Sequence, residues 1–272
     1  DQKTSRGGRG MQDKVFSIKQ SLSIYVIIVI LFYMTSFFFQ TRYGLVGIPL
    51  TQVFGLLIPG LLAVLLMKKD FRSVFFFNKT QSFKYYRIGL GLWLLALVFS
   101  GIYSFYAIDF LPEEKEMLDA FNYIFENLPL LNQILMIAVM PAIIEELLFR
   151  GLFLSSLLKH TRPSIAIFAT SLMFAAMHFS LLKLVTTFIL GSTFGYVVYK
   201  SKSIFPAIFL HFLNNSFSVL IANYLSDFDL VEPLMLNQSG SVTMLSGLIL
   251  TLLMAIILMT HARGIANDYQ TK

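Results

Sequence analysis

Apolar residues along this chain come in long blocks. They do not follow the alternation of a strand or the stripe of a surface helix. Eight blocks stand out, at about residues 21–40, 44–67, 88–108, 129–158, 163–180, 184–199, 203–225 and 243–261. Crossing ~30 Å of hydrocarbon takes ~20 apolar residues at ~1.5 Å of rise each. A helix satisfies its backbone polar groups within one such segment. The pattern therefore predicts an all-α fold: a polytopic membrane helix bundle with about eight transmembrane helices. The fourth block is too long for one straight crossing and contains Pro141, so a kink or a protruding end is expected. Two connections are predicted to be interfacial. Residues 70–87 mix Phe71, Phe75, Phe76, Phe77 and Tyr85 with lysines, which suits the inner leaflet. Residues 111–127 mix acids with Met117, Phe121, Ile124 and Phe125, which suits an amphipathic helix at the outer surface.

Composition supports lipid as the main solvent. The chain is 56% hydrophobic and 13% charged, about half the charge of an ordinary soluble domain. Cysteine is absent, which excludes disulfides, thiolate metal sites and a cysteine nucleophile. The net charge of +6 suggests nucleic acid only until it is located. With the N-terminus in the cytoplasm, all but Arg42, Lys115, Lys183 and the intraspan Arg150 of the 21 basic residues fall inside. Glu113, Glu114, Glu116, Asp119, Glu126, Asp227, Asp229 and Glu232 fall outside. The charge is thus a topology signal. It implies an integral, multi-pass protein with both termini cytoplasmic and no nucleic-acid partner, and the Phe-, Ile- and Lys-rich composition points to a bacterial plasma membrane. Residues 1–10, ahead of Met11, read as the remnant of an expression tag, and no cleavable signal peptide is evident.

Ionisable residues inside a span each cost roughly 2.5–3.5 kcal/mol on insertion scales. Here Glu145, Glu146, Arg150, His178 and His211, with Asn215 one turn beyond, concentrate in three of the eight blocks. Glu146 and Arg150 are four residues apart and share a helix face, so they are expected to pair. Glu145 points elsewhere and is left for chemistry. His211 and Asn215 are also four apart and offer an imidazole and an amide side by side. A carboxylate, imidazoles and hydrogen-bond donors are what water-driven amide cleavage requires. Gly191 and Gly195 form a small-residue face for close helix packing.

Glu145-Glu146-x-x-x-Arg150, Phe174-x-x-x-His178 and His211-x-x-x-Asn215, in that order on separate spans, resemble the motifs of the CPBP family. This family comprises the CAAX prenyl proteases and bacteriocin-processing proteins, also called the Abi family. The resemblance covers about residues 127–222. It implies an intramembrane glutamic endopeptidase that uses neither serine nor cysteine. By resemblance Glu145 is the general base, and His178 helps hold the attacking water. His211 and Asn215 form the oxyanion site, with Glu146, Arg150 and Phe174 supporting. The implied partner is a peptide or membrane-protein substrate in the bilayer, lipidated or a bacteriocin or signal peptide. No cofactor is implied.

Alternatives remain at this stage. Zinc held by Glu145, His178 and His211 is one. A non-proteolytic immunity or scaffold protein is another, and a transporter relaying through the buried charges is a third. The expected organisation is residues 11–126 for helices 1–3, residues 127–225 for a catalytic core of helices 4–7, and residues 226–272 for a last span and a cytoplasmic tail. A cavity formed by the fourth, fifth and seventh spans is expected to open toward the cytoplasm, with residues 70–87 near its mouth.

Overall fold

The computed structural model describes residues 14–78, 82–116 and 128–224, and all regular elements among them are helical. Helix α1 (Ile18–Tyr43) starts at a capping box, in which Ser17 and Gln20 satisfy each other's backbone N–H groups. Gly44, at φ +55°, turns the chain back. The returning helix α2 joins Gly47–Thr51, a π-helical turn Gln52–Leu57 and Ile58–Leu66. Phe54 of α2 packs on Phe39 of α1 with ring centroids 5.5 Å apart, so residues 18–66 form a hairpin. Short helix α3 (Phe71–Phe75) is capped by Asp70, and α4 (Lys84–Ala107) is long and apolar.

Helix α5 is continuous over 130–160 but passes through two π-helical turns. It runs Leu130–Gln133, π-helical Ile134–Val139, α-helical Met140–Glu146, π-helical Leu147–Phe153 and α-helical Leu154–His160. The π-turn just before Pro141 absorbs the proline, and the helix is not broken there. Helices α6 (Pro163–Ala176), α7 (Leu181–Ser201) and α8 (Phe205–Tyr224) complete the described bundle.

Two apolar layers meet at α5. One is built from Ile28 of α1, Leu56 and Val64 of α2, Phe75 of α3, Leu148 and Phe153 of α5, and Phe174 at the end of α6. The other joins Trp93 of α4, Leu154 and Leu157 of α5, Phe194 and Val197 of α7, and Leu210 of α8. The charged residues of α5 sit between the layers. Among the described residues, four helical stretches are long and apolar enough to cross a membrane: Ile18–Leu66, Lys84–Ala107, Leu181–Ser201 and Phe205–Tyr224. Large side chains such as Phe37, Leu66 and Leu131 are exposed on the outside, as lipid-facing residues are. The molecule is an integral membrane helix bundle.

Two expectations change. The fifth block is helical only over Pro163–Ala176, about 21 Å at ~1.5 Å per residue, short of a full crossing. His178 therefore lies in the turn after α6, which ends with Phe179 at φ +45°. Residues 70–78 are more than an interfacial connector, because Val74 and Phe75 are buried and Phe75 seats against Gly151 of α5. The 243–261 span and the 226–272 tail lie outside the described residues, as do residues 1–10 and most of the 111–127 segment.

Candidate active site

Glu145 and Glu146 are neighbours at the junction of an α-helical and a π-helical turn of α5. About 100° of helix rotation sends their side chains in different directions. Glu146 is fully buried, and its Oε1 accepts from Arg150 Nη1 at 2.9 Å and from His211 Nδ1 at 2.8 Å. The carboxylate is acceptor-only, so Nδ1 of His211 carries the proton in that bond.

The Arg150 guanidinium completes the cluster. It lies over the rings of Phe174 at 4.6 Å and Phe194 at 5.5 Å. Its Nη2 passes 3.2 Å from where a Cβ on Gly191 would stand. Glycine there lets α7 approach an arginine that is 1% exposed. The Phe194 ring also stacks on His211, with centroids 5.5 Å apart and planes at 26°. Two aromatic faces thus shield an ion pair from lipid. The partnering is partial, because Glu146 Oε2 and Arg150 Nη2 are buried without a hydrogen-bond partner, and the two rings cover part of that cost.

Glu145 is half-buried and turns away from that cluster. Its Oε2 lies 3.8 Å from His211 Nε2, beyond a direct hydrogen bond. The Glu145 side chain instead faces a cavity of about 230 Å³. The cavity is lined by Phe32 and Tyr33 of α1, Leu56 of α2, Phe149 of α5, and Phe174, Met177, His178 and Phe179 of α6 and its following turn. His178 Nδ1 lies 2.9 Å from the Phe174 carbonyl. A carbonyl only accepts, so Nδ1 is the donor and Nε2 of the neutral ring keeps its lone pair.

The first wall of the cavity was not legible as part of a site. Tyr33 donates to the Met177 carbonyl at 2.7 Å, and Tyr25 donates to the Met173 carbonyl at 2.9 Å. These carbonyls belong to the last turn of α6 and the turn after it. The Met173 carbonyl also accepts from the Met177 N–H, so Tyr25 adds a second donor there, while Tyr33 caps a carbonyl beyond the helix end. This ties the hairpin α1–α2 to the element carrying His178. The signal in the sequence was two tyrosines on one helix face within an otherwise apolar span.

The position of the cavity also differs from expectation. Neither His211 nor Asn215 lines it, and α8 contributes nothing to its wall. His178 and Phe179 lie at the end of α6 opposite Arg162 and Pro163, while the 70–78 segment meets Lys202 through Asn78. The cavity thus lies away from the basic end of the bundle and from the 70–78 segment. His178 stands 15 residues beyond Pro163, about 22 Å along a helix at ~1.5 Å per residue. The expectation of a mouth at the basic end gave that distance too little weight.

Asn215 sits elsewhere for a traceable reason. Pro141 has no N–H, so the carbonyl four residues earlier, Ile137, loses its helical donor. Asn215 Nδ2 donates to that carbonyl at 2.9 Å. Asn214 Nδ2 donates to Asn215 Oδ1 at 3.1 Å, and the Trp93 indole donates to Asn214 Oδ1 at 3.1 Å. The indole only donates, which sets the orientation of both amides. One hydrogen on Asn215 Nδ2 remains outside this chain.

Of the residues anticipated for the site, the structure gathers Glu145, Phe174 and His178 at the cavity. Glu146, Arg150 and His211 form the sealed cluster behind it, and Asn215 lies on the α5 backbone. Among the described residues, no three His, Cys, Asp or Glu side chains come together closely enough to hold a metal ion.

Residues 127–217 match the family model of the Rce1-like proteins, described as type II CAAX prenyl endopeptidase Rce1-like. The chain is also 28% identical over 151 residues to the Bacillus subtilis (strain 168) protein named "Putative membrane peptidase YdiL". That similarity covers 51% of this chain and 61% of the relative, so the chain spans less than two thirds of the curated protein it matches. No solved structure matches the chain.

Proposed function

We propose that this membrane protein, whose residues 127–217 carry the Rce1-like family match, is an endopeptidase that cleaves a peptide bond in a membrane-associated substrate. Glu145 is the general base. The observation that carries this reading is the contrast between two adjacent carboxylates. Glu146 is spent on Arg150 and His211, while Glu145 faces a cavity that it shares with His178.

In this mechanism Glu145 takes a proton from a water molecule as the oxygen attacks the scissile carbonyl. Nε2 of His178, kept as an acceptor by its Nδ1–H bond, holds the second hydrogen of that water. For the oxyanion we keep the donors that the family resemblance implies, His211 and Asn215. Neither lines the cavity, so the substrate carbonyl has to reach past Glu145 toward α8. His211 Nε2 donates only if the ring carries a second proton beside the one held by Glu146. The C–N bond then breaks, and Glu145 returns its proton to the leaving amine. Glu146 holds His211 at Nδ1, which directs Nε2 toward Glu145. The substrate is a peptide or membrane protein, with lipidated and signal-type peptides as the candidates. Neither cofactor nor metal enters the scheme.

The test uses purified full-length protein in lipid. Glu145→Gln removes the base but keeps the shape, and the expected loss of cleavage rate is at least ~10²-fold with the fold intact. Wild-type rates in that variant would end the assignment. Activity is expected to survive exhaustive chelation. Loss on chelation, with recovery on addition of one equivalent of zinc, would replace the scheme by a metal-assisted one. A scaffold or immunity role would instead leave biological function intact in Glu145→Gln.

A further inference from the structure

Four described residues other than glycine have positive φ: Lys68, Phe76, Phe179 and Lys202. For a bulky side chain this backbone region is a true outlier, whereas glycine adopts it freely. Three of the four have a structural explanation. Lys68 and Lys202 follow the C-termini of α2 and α7, where a cation suits the helix dipole. Phe76 packs against the second apolar layer.

Phe179 has no such return. It follows α6, at a position where glycine would serve best, yet its side chain is 77% exposed. The ring stands at the cavity rim, edge-on to Tyr33 with centroids 4.8 Å apart and planes at 77°. Both flanks hold it there. On one side the Tyr33 hydroxyl grips the Met177 carbonyl. On the other, the carboxylate of Glu114 accepts from the Ser180 hydroxyl and the Leu181 N–H, pinning the start of α7. A strained, exposed aromatic residue held from both sides beside a candidate site is the arrangement expected when strain serves binding. The cavity is otherwise lined by aromatic and aliphatic side chains, among them Phe32, Leu56, Phe149 and Met177.

We propose that Phe179, with Tyr33, is a specificity-determining wall that seats a large apolar side chain of the substrate next to Glu145. This rests on the peptidase reading above. The seated residue is flanked by rings on the rim and floor, and a small or polar side chain leaves those faces without a partner.

The experiment compares two short fluorescein-labelled peptides, identical except for Phe or Ala at one central position. Their equilibrium binding is measured with the full chain in lipid nanodiscs. The background is Glu145→Gln, so that cleavage does not intervene. The Phe peptide is expected to bind more tightly than the Ala peptide by roughly 3- to 10-fold, the range of one aromatic contact. Phe179→Gly is expected to abolish that preference while leaving the melting temperature unchanged or higher, because glycine removes the strain. Phe179→Leu, which keeps the backbone strain and loses the ring, is expected to reduce the preference without raising the melting temperature. A preference that survives in both variants, or no preference in the parent, overturns the proposal. So does a Phe179→Gly protein that melts well below the parent, since the ring would then be structural. Absence of cleavage by the Glu145-containing protein would defeat the peptidase reading, while the binding comparison would still decide the role of Phe179.

Discussion

Behind α5, a carboxylate, a guanidinium and an imidazole are sealed between the rings of Phe174 and Phe194. In front of it, a second carboxylate faces an open cavity with an imidazole whose acceptor nitrogen is unspent. The two regions share Phe174 and adjacent residues of one helix, yet they solve opposite problems. The sealed cluster lowers the cost of charge in a low-dielectric interior by pairing Glu146 Oε1 with both Arg150 and His211, though Glu146 Oε2 and Arg150 Nη2 stay without a hydrogen bond. The cavity leaves a charge incompletely partnered, which is expensive for stability and useful for chemistry. Glu145 and Glu146 thus show that residue type does not assign a role. The direction of the side chain does.

The largest effect that separates the regions is on stability. Glu146→Ala leaves Arg150 buried without its ion partner and releases His211, and it is expected to cost about 3–5 kcal/mol. Glu145→Ala removes a carboxylate with no hydrogen bond to lose and should cost far less. Thermal melts of the two variants in the same lipid settle the order. Equal losses would mean that the carboxylates are one network, and the comparison would fail.

A middle effect concerns the α5 backbone. Asn215→Leu strands the Ile137 carbonyl and should cost about 1–3 kcal/mol. The cause is specific, because Pro141 created the vacancy. Pro141→Ala restores a backbone donor to the same carbonyl, so Asn215→Leu should cost less in that background. A double-mutant cycle measures the difference. Additive losses would show that Asn215 does not serve the proline-released carbonyl.

The smallest effect lies far from both regions and calibrates them. The Ser73 hydroxyl and then the Ser73 N–H, both beside Asp70, hold its carboxyl below the usual carboxylate range. A depressed folded pKa means that the capping contribution is fully present above the unfolded value. It is lost as pH falls through the folded value, below about 4. Asp70→Ala should therefore lower the melting temperature slightly at neutral pH and not at all at strongly acidic pH. A deficit independent of pH would show that the cap acts through something other than the ionised carboxylate. Asp70 is exposed, so solvent screens the interaction and the change is small.

Much of the architecture could be read from one dimension. Long apolar blocks force helices, because an unpaired backbone in lipid is too costly. An ion pair four residues apart on a helix is local geometry, and Glu146 and Arg150 met as their spacing required. The choice of Gly191 as a close-packing residue was also local, though not that its neighbour would be Arg150. Residues 70–78 were less legible. Their aromatic content reads equally as interfacial or as buried, and only packing against Gly151 decides between the two.

What the sequence determined by itself is the class of molecule and its chemical inventory: a helical membrane protein with a few ionisable groups kept in the right helices. Hydrophobic length and helical spacing are properties of neighbouring residues, so they need no fold to be evaluated. The tertiary structure alone decided which carboxylate faces space, that α1 builds a wall of the cavity, and that the Ile137 carbonyl of α5 accepts from an asparagine on α8. Those contacts join residues up to 148 positions apart in the chain. Neither composition nor periodicity carries information about which distant helix supplies a donor to an orphaned carbonyl. That choice is made when the helices pack, and there the penalty for an unsatisfied polar group in lipid selects one partner.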